Sequence, residues 1–330
     1  MHPIPSDRLV AAGIVAPVSP AMKPTPSRVR TMIVALAASV LLAVTGCTAE
    51  PRTTDDTPWG TGVDRPEPPT SEFDPGLIVS DDSFYDAGAM DEDQIQAFLE
   101  SRRCVPRDTA PCLDDYAEST PTIPAVGGRH CAEYRGGIRE RASRIIEKVA
   151  AACGVSPRTL LVLLQKEQSL LTRPSLAGYE RATGYGCPDT ADCEQKYFGF
   201  FNQLYNAAWQ FRQYTEEPQR AYRVGTVPVQ FNPDAACGAS PVDIRNQATA
   251  NLYNYTPYQP SDATLADPDV GDGCSAFGNL NFWRIWNRWF GDPTAERYPA
   301  FFPSCLRLVG GHPCPDPAPT VPGVAPRATP

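Results

Sequence analysis

Eleven cysteines constrain this chain more than any other feature. Ten lie beyond residue 100: Cys104, Cys112, Cys131, Cys153, Cys187, Cys193, Cys237, Cys274, Cys305 and Cys314. An even set in an exported chain reads as a disulfide framework, so the fold must be one whose loops and helix ends can be stapled. Connectivity does not follow from sequence, but neighbours suggest 104–112, 131–153, 187–193, 237–274 and 305–314. The rival reading is a zinc site. It fails because no pair has CxxC spacing and the only histidines are His2, His130 and His312. No metal and no cofactor are expected.

The eleventh cysteine, Cys47, has a different reading. Residues 32–44 form one short apolar run preceded by Lys23, Arg28 and Arg30. A basic stretch before a short apolar core has the form of a secretory signal. The run is too short for a membrane span, which needs about 20 apolar residues. Val44-Thr45-Gly46-Cys47 comes next and resembles a bacterial lipobox, which implies cleavage before Cys47 and a diacylglycerol on its thiol. An ordinary cleavage site with an incidental cysteine is the alternative. Residues ahead of Met22 carry no signal-like pattern, so Met22 is an alternative start. The chain is therefore expected outside the cytoplasm, lipid-anchored to the outer face of the cell membrane.

Four segments are expected. Residues 1–46 form the signal region, and 47–75 the lipidated cysteine and a disordered tether rich in Pro, Thr, Asp and Glu. Residues 76–300 form one domain, and 301–330 a Cys-clipped, Pro-rich tail. Removing 1–46 takes away four basic groups and one acid, moving the net charge from −9 to −12. An acidic surface argues against nucleic acid or anionic lipid as a partner.

Helical patterns dominate the domain. Acids at Asp91, Glu92 and Asp93 lead into apolar spacing through Leu99, a short helix. Ile138, Ala142, Ile145, Ile146, Val149 and Cys153 follow a 3.6-residue period, and Gly154 ends that helix. Ser156-Pro157 is an N-cap with proline at the first helical position, opening a helix through Leu160, Leu164 and Leu171 as far as Pro174. Further helices are expected at 202–214, 241–255 and 279–290, the last with Trp283, Trp286 and Trp289 on one face as core. The best strand signal is 223–231. The fold class is mainly α with a few short strands, disulfide-stapled, flanked by disordered segments.

Glu167 is the residue to single out for chemistry. It falls three, four and seven positions after Leu164, Leu163 and Leu160, so it shares their apolar helix face. A carboxyl group there is withdrawn from water and expected to keep its proton, as glycosidic bond cleavage requires of a general acid. Gln165 and Gln168 can hydrogen-bond beside it, while Lys166 is expected to point elsewhere. The structural alternative is a helix-end glutamate paired with an arginine such as Arg181. Asp189, Asp192 and Glu194 are loop acids with no convincing claim to be a second catalytic carboxylate. Asp267 to Gly273 looks calcium-like but lacks the length and distal glutamate of an EF-hand loop.

Beyond this helix come Ala182-Thr183-Gly184-Tyr185-Gly186-Cys187-Pro188-Asp189 and then Tyr197-Phe198-Gly199-Phe200-Phe201-Asn202-Gln203. An acid-bearing helix, a glycine-containing loop and an aromatic/Gly/Gln turn into a helix resemble the lysozyme-like superfamily, soluble lytic transglycosylases included. That resemblance covers about 60 residues and departs where Gln168 replaces the serine that often follows the family's glutamate. A wider resemblance runs from Ser80 to Gly291. It is carried by Ser83-Phe84-Tyr85-Asp86, by Leu164-Gln165-Lys166-Glu167-Gln168 and by Ala248 to Tyr258, and it is to actinobacterial secreted envelope proteins, some labelled haemagglutinin. It implies an envelope location and leaves the activity open.

The resemblances imply a lysozyme-like domain acting on the peptidoglycan glycan backbone, with Glu167 as acid and base. Gln168, Tyr185, Tyr197, Phe200, Asn202, Gln203, Tyr253 and Tyr255 are the candidate saccharide contacts. Core packing for the tyrosines and capping for Asn202 and Gln203 stay open beside this. A single acid leans toward transglycosylase chemistry over hydrolysis, because the muramoyl hydroxyl is then the nucleophile. The alternative is a non-catalytic wall or glycan-binding lipoprotein. Cysteine peptidase, Ser/His/Asp and nucleotide-binding chemistries lack their residues or spacing.

Overall fold

Helix α4 (Pro157–Gln168) shows why the chain folds as it does. The Ser156 side chain accepts from Arg158 N, Pro157 occupies the first turn, and every residue from Thr159 to Leu164 is buried. A segment apolar all round belongs in the middle of a core. It packs on α9 (Gly278–Phe290) and α3 (Ala142–Cys153). The computed structural model describes residues 64–126, 130–188 and 192–296.

Nine α-helices and two antiparallel two-stranded sheets are present among the described residues. Short α1 (Asp81–Tyr85) and α2 (Glu92–Glu100) come first. Asp91 and Gln94 close a reciprocal capping box on α2. Strands β1 (Ala117–Thr120) and β2 (Gly137–Arg141) precede α3, and α5 (Leu176–Glu180) follows α4. Then come α6 (Phe200–Glu216), the β3 (Gly225–Gln230) and β4 (Ala239–Ile244) pair, α7 (Gln247–Tyr255), α8 (Asp262–Ala266) and α9. One core runs through α3, α4, α6, α7 and α9, with Phe84, Phe211, Phe282 and Trp286 at its centre. The expectation of a mainly helical, disulfide-stapled domain holds. Trp283 and Trp286 are buried and Trp289 packs against the same core, as the three-residue stripe predicted.

Several boundaries differ from expectation. Ile138 belongs to β2 and is 88% exposed, so the predicted helix starts four residues later at Ala142. Helix α4 stops at Gln168 because Ser169 turns left-handed (φ 55°), well before Pro174. The expected 241–255 helix divides into β4 and α7. Residues 64–75, expected to be tether, lie against the domain. Arg65 N donates to Arg288 O at 2.8 Å, Glu67 pairs with Arg284 and Arg288, and Phe73 is buried.

Among the described residues four disulfides join Cys104–Cys112, Cys131–Cys153, Cys187–Cys193 and Cys237–Cys274, the pairing that neighbours suggested. They point to an oxidising environment. Cys305–Cys314, the Pro-rich tail, the signal region and Cys47 fall outside the described residues. No helix among the described residues is long and apolar enough to cross a membrane.

The two sheets contrast. β3 and β4 pair in uninterrupted register from Gly225↔Ile244 to Gln230↔Ala239. β1 and β2 pair Glu118↔Glu140 and Thr120↔Gly137, which leaves Ser119 opposite both Ile138 and Arg139. Two residues against one is a β-bulge, and Arg139 sits in it at φ 50°.

Candidate functional site

Glu167 lies in the last turn of α4, where unpaired carbonyls make a carboxylate unwelcome. Its side chain is 24% exposed. Two neighbours define its surroundings. A Cβ built on Gly184 would stand 3.7 Å from Glu167 Oε2, and the negative charge of Glu167 helps to hold the Tyr255 hydroxyl protonated. Lys166 does not point elsewhere. Its Nζ is 2.5 Å from Glu167 Oε1 and also donates to Thr256 Oγ1 at 3.0 Å, with only 6% of its side chain exposed. The lysine supplies the positive charge that the helix end lacks.

Gly184 and Tyr255 both line a pocket of about 370 Å³. Its other walls are Tyr185, Gly186, Cys187, Pro188, Glu194 and Tyr197 from the loop, and Gln210 and Tyr214 from α6. The structure thus gathers four tyrosines round one opening. Tyr185 and Tyr197 meet edge to face at 4.8 Å. Tyr255 stacks on Phe211, also at 4.8 Å, and its hydroxyl donates to Thr183 O at 2.8 Å. Burial pushes the Tyr185 phenol up to about 12 and the Tyr255 phenol well above its ordinary value.

The loop wall takes its shape from Gln203, which is fully buried. Its Oε1 accepts from Thr183 N (3.2 Å) and Tyr185 N (3.1 Å), and its Nε2 donates to Tyr185 O and Tyr197 O, each at 2.8 Å. Gly186 is required where it stands. Its φ is +70°, and a Cβ there would lie 2.6 Å from the Tyr197 ring. The Cys187–Cys193 disulfide closes the outer part of the loop.

Of the predicted contacts, Tyr185, Tyr197 and Tyr255 come together in the pocket. Gln168 stays half-buried at the end of α4, where its Cβ is 3.7 Å from the Cβ position of Gly178. The other four do not line it, and for Phe200, Gln203 and Tyr253 burial overturns the expectation. Phe200 is fully buried, with Tyr116 and Tyr179 against its ring. Tyr253 is fully buried and donates to Pro75 O at 3.0 Å. Gln203 spends its amide on the backbone of Thr183, Tyr185 and Tyr197 and on the Thr183 hydroxyl, and Asn202 gives its amide to Lys196 O at 2.9 Å. Aromatic clusters in sequence do not reveal which ring faces inward. Of the loop acids, Glu194 lines the pocket, Asp192 is exposed, and Asp189 lies outside the described residues.

Gln210, Tyr214 and Lys166 escaped sequence reasoning. A signal existed for two of them: Gln203, Gln210 and Tyr214 are seven and four residues apart, which puts them on one face of α6. No group of three or more metal-ligating side chains occurs among the described residues. No family model matches this chain, no curated protein matches it, and no solved structure matches it.

Proposed function

We propose that the tyrosine pocket takes a saccharide of the cell envelope and that Glu167 is its acid/base, making the protein a peptidoglycan glycosidase of lytic-transglycosylase or muramidase type. The lysozyme-like reading of the helical domain belongs to this proposal. One observation carries it. A carboxyl group at the end of a buried helix borders Gly184 and Tyr255, two residues of a pocket walled by tyrosines. Aromatic faces with a few polar groups suit a sugar ring, and a carboxyl beside it supplies the proton.

In that reaction Glu167 gives its proton to the glycosidic oxygen as the bond to the anomeric carbon breaks. The carboxylate then takes a proton from the attacking hydroxyl. If that hydroxyl is the muramoyl C6–OH the product is a 1,6-anhydro sugar; if it is water, a reducing end. Lys166 has to release the carboxylate, which takes up a proton from water before the first step, and Thr256 Oγ1 remains as the acceptor for the lysine. Cys47 and the chain after it would hold the domain at the outer face of the membrane, within reach of nascent wall.

A second reading has its own support. With Lys166 at 2.5 Å, the Glu167 carboxylate is a fixed acceptor for sugar hydroxyls, which is what a glycan-binding protein without catalysis needs. The experiment that separates them is incubation with purified peptidoglycan beside Glu167→Gln, with products read by mass spectrometry. The enzyme reading expects soluble muropeptides from the unmodified protein and a loss of about 10²–10⁴-fold in the variant. Wall binding without product in either protein would leave the binding reading.

A further inference from the structure

A second concavity, of about 670 Å³, shares no residue with the tyrosine pocket. Five cations line it: Arg135, Arg139, Arg141, Arg144 and Lys148. The whole chain carries −9, so this is a local reversal of sign. We propose that this basic concavity docks on an anionic phospholipid surface, seating headgroup phosphates among its arginines while Ile138 enters the apolar boundary.

The cations are unequal. Lys148 pairs with Glu140, which is buried and also accepts from Tyr134 Oη at 3.1 Å and from Thr120. That network pins β2 to α3. Arg144 reaches Glu92 at 2.7 Å, and Arg135 reaches Glu133 at 2.6 Å. Arg139 and Arg141 are exposed and make no ion pair among the described residues. A guanidinium presents two parallel donors to phosphate oxygens, so two free arginines with three further cations round them form an anion-seeking surface.

The bulge decides between lipid and a soluble polyanion. Regular pairing would send Ile138 and Arg139 to opposite faces of β2. Because Ser119 opposes both, the two side chains are exposed together, with Arg139 N donating to Ser119 Oγ at 3.2 Å. Ile138 is 88% exposed, and Val126 on the connection between the strands is 75% exposed. A phosphate polymer in solution gains nothing from a bare isoleucine beside its arginines. A lipid surface gains from both, since apolar insertion and headgroup attraction add.

The test is amide hydrogen exchange over residues 134–144 of the full chain, with vesicles of phosphatidylcholine alone or with phosphatidylglycerol added. This readout is local, so membrane contacts made elsewhere in the chain do not enter it. Phosphatidylglycerol vesicles are expected to slow exchange severalfold, and phosphatidylcholine vesicles to leave it unchanged. Arg139→Gln/Arg141→Gln should abolish the slowing, Ile138→Asn should weaken it, and Val224→Asn, at another exposed valine, should not. Near-UV circular dichroism checks that each variant is folded. Equal slowing by both vesicle types would overturn the proposal. So would slowing by inorganic polyphosphate that matches the vesicles and survives Ile138→Asn, which would assign the surface to a soluble polyanion.

Discussion

The two walls of the tyrosine pocket are held in different ways. The helical wall, with Tyr255 from α7 and Gln210 and Tyr214 from α6, rests on the core, since Tyr255 stacks on fully buried Phe211. The loop wall, with Tyr185, Gly186 and Tyr197, contributes no ring to that core. It takes its shape from one buried glutamine and one disulfide. A wall built on burial is lost only with the whole fold. One built on hydrogen bonds to a single side chain can come loose while the domain stays folded. The site therefore joins a fixed half to a half that can open separately.

The largest break should come from the fixed side. Phe211→Ala removes a ring at the centre of the core and should lower stability by about 3–5 kcal/mol, read as one cooperative shift in chemical denaturation. Gln203→Ala is expected to cost about 2–4 kcal/mol, because it strands two backbone donors and two carbonyls. Hydrogen exchange should then rise at 183–188 and 192–197 before it rises in α6. If α6 and the loop open together, the two walls are one unit and the contrast fails.

Smaller effects sharpen the same division. Cys187→Ser with Cys193→Ser releases a short loop and should cost about 2 kcal/mol, with α4 and α9 exchanging as before. Ligand affinity for the pocket is expected to fall further than stability does. The gentlest probe is pH. Tyr185, raised to about 12, contributes stability that is complete below the unfolded tyrosine value near 10 and is lost as pH rises through 12. Absorbance titration at alkaline pH, compared with Tyr185→Phe, should show one phenol ionising near 12. Tyr255, held higher by burial and by Glu167, should ionise only on unfolding.

The helical half of this site was largely legible in sequence, because its signals are local. Ser156-Pro157 opened α4 where the cap rule places it, and the leucine spacing put Glu167 on the helix face that leads into the core. The loop half was legible as composition but not as arrangement. From sequence Gln203 is equally an amide donor to a sugar or a helix cap. An amide with two donors and one acceptor serves backbone equally well, and only the tertiary fold decides which. Phe200 and Tyr253 were misplaced for a related reason, since period and aromaticity do not say which ring closes the core. Ile138 fitted a helical period by coincidence of spacing, and nothing local marks the bulge that puts it on the surface. Lys166 is expected to point away from Glu167, but its long flexible stem brings the ammonium round to the neighbouring residue.

The strap at 64–72 carries a mechanical consequence. Asp64 meets Arg102 just past α2, Arg65 and Glu67 are bonded to α9, and Thr70 Oγ1 donates to Leu265 O on α8 at 2.6 Å. Any pull on the chain ahead of Asp64 therefore enters the molecule at Arg102 just past α2, at α8 and at α9 together, and the tryptophans of α9 pack in the core. The load falls on several bonds in parallel instead of peeling one element away. A domain built this way can be tugged from its leading end without first loosening the pocket.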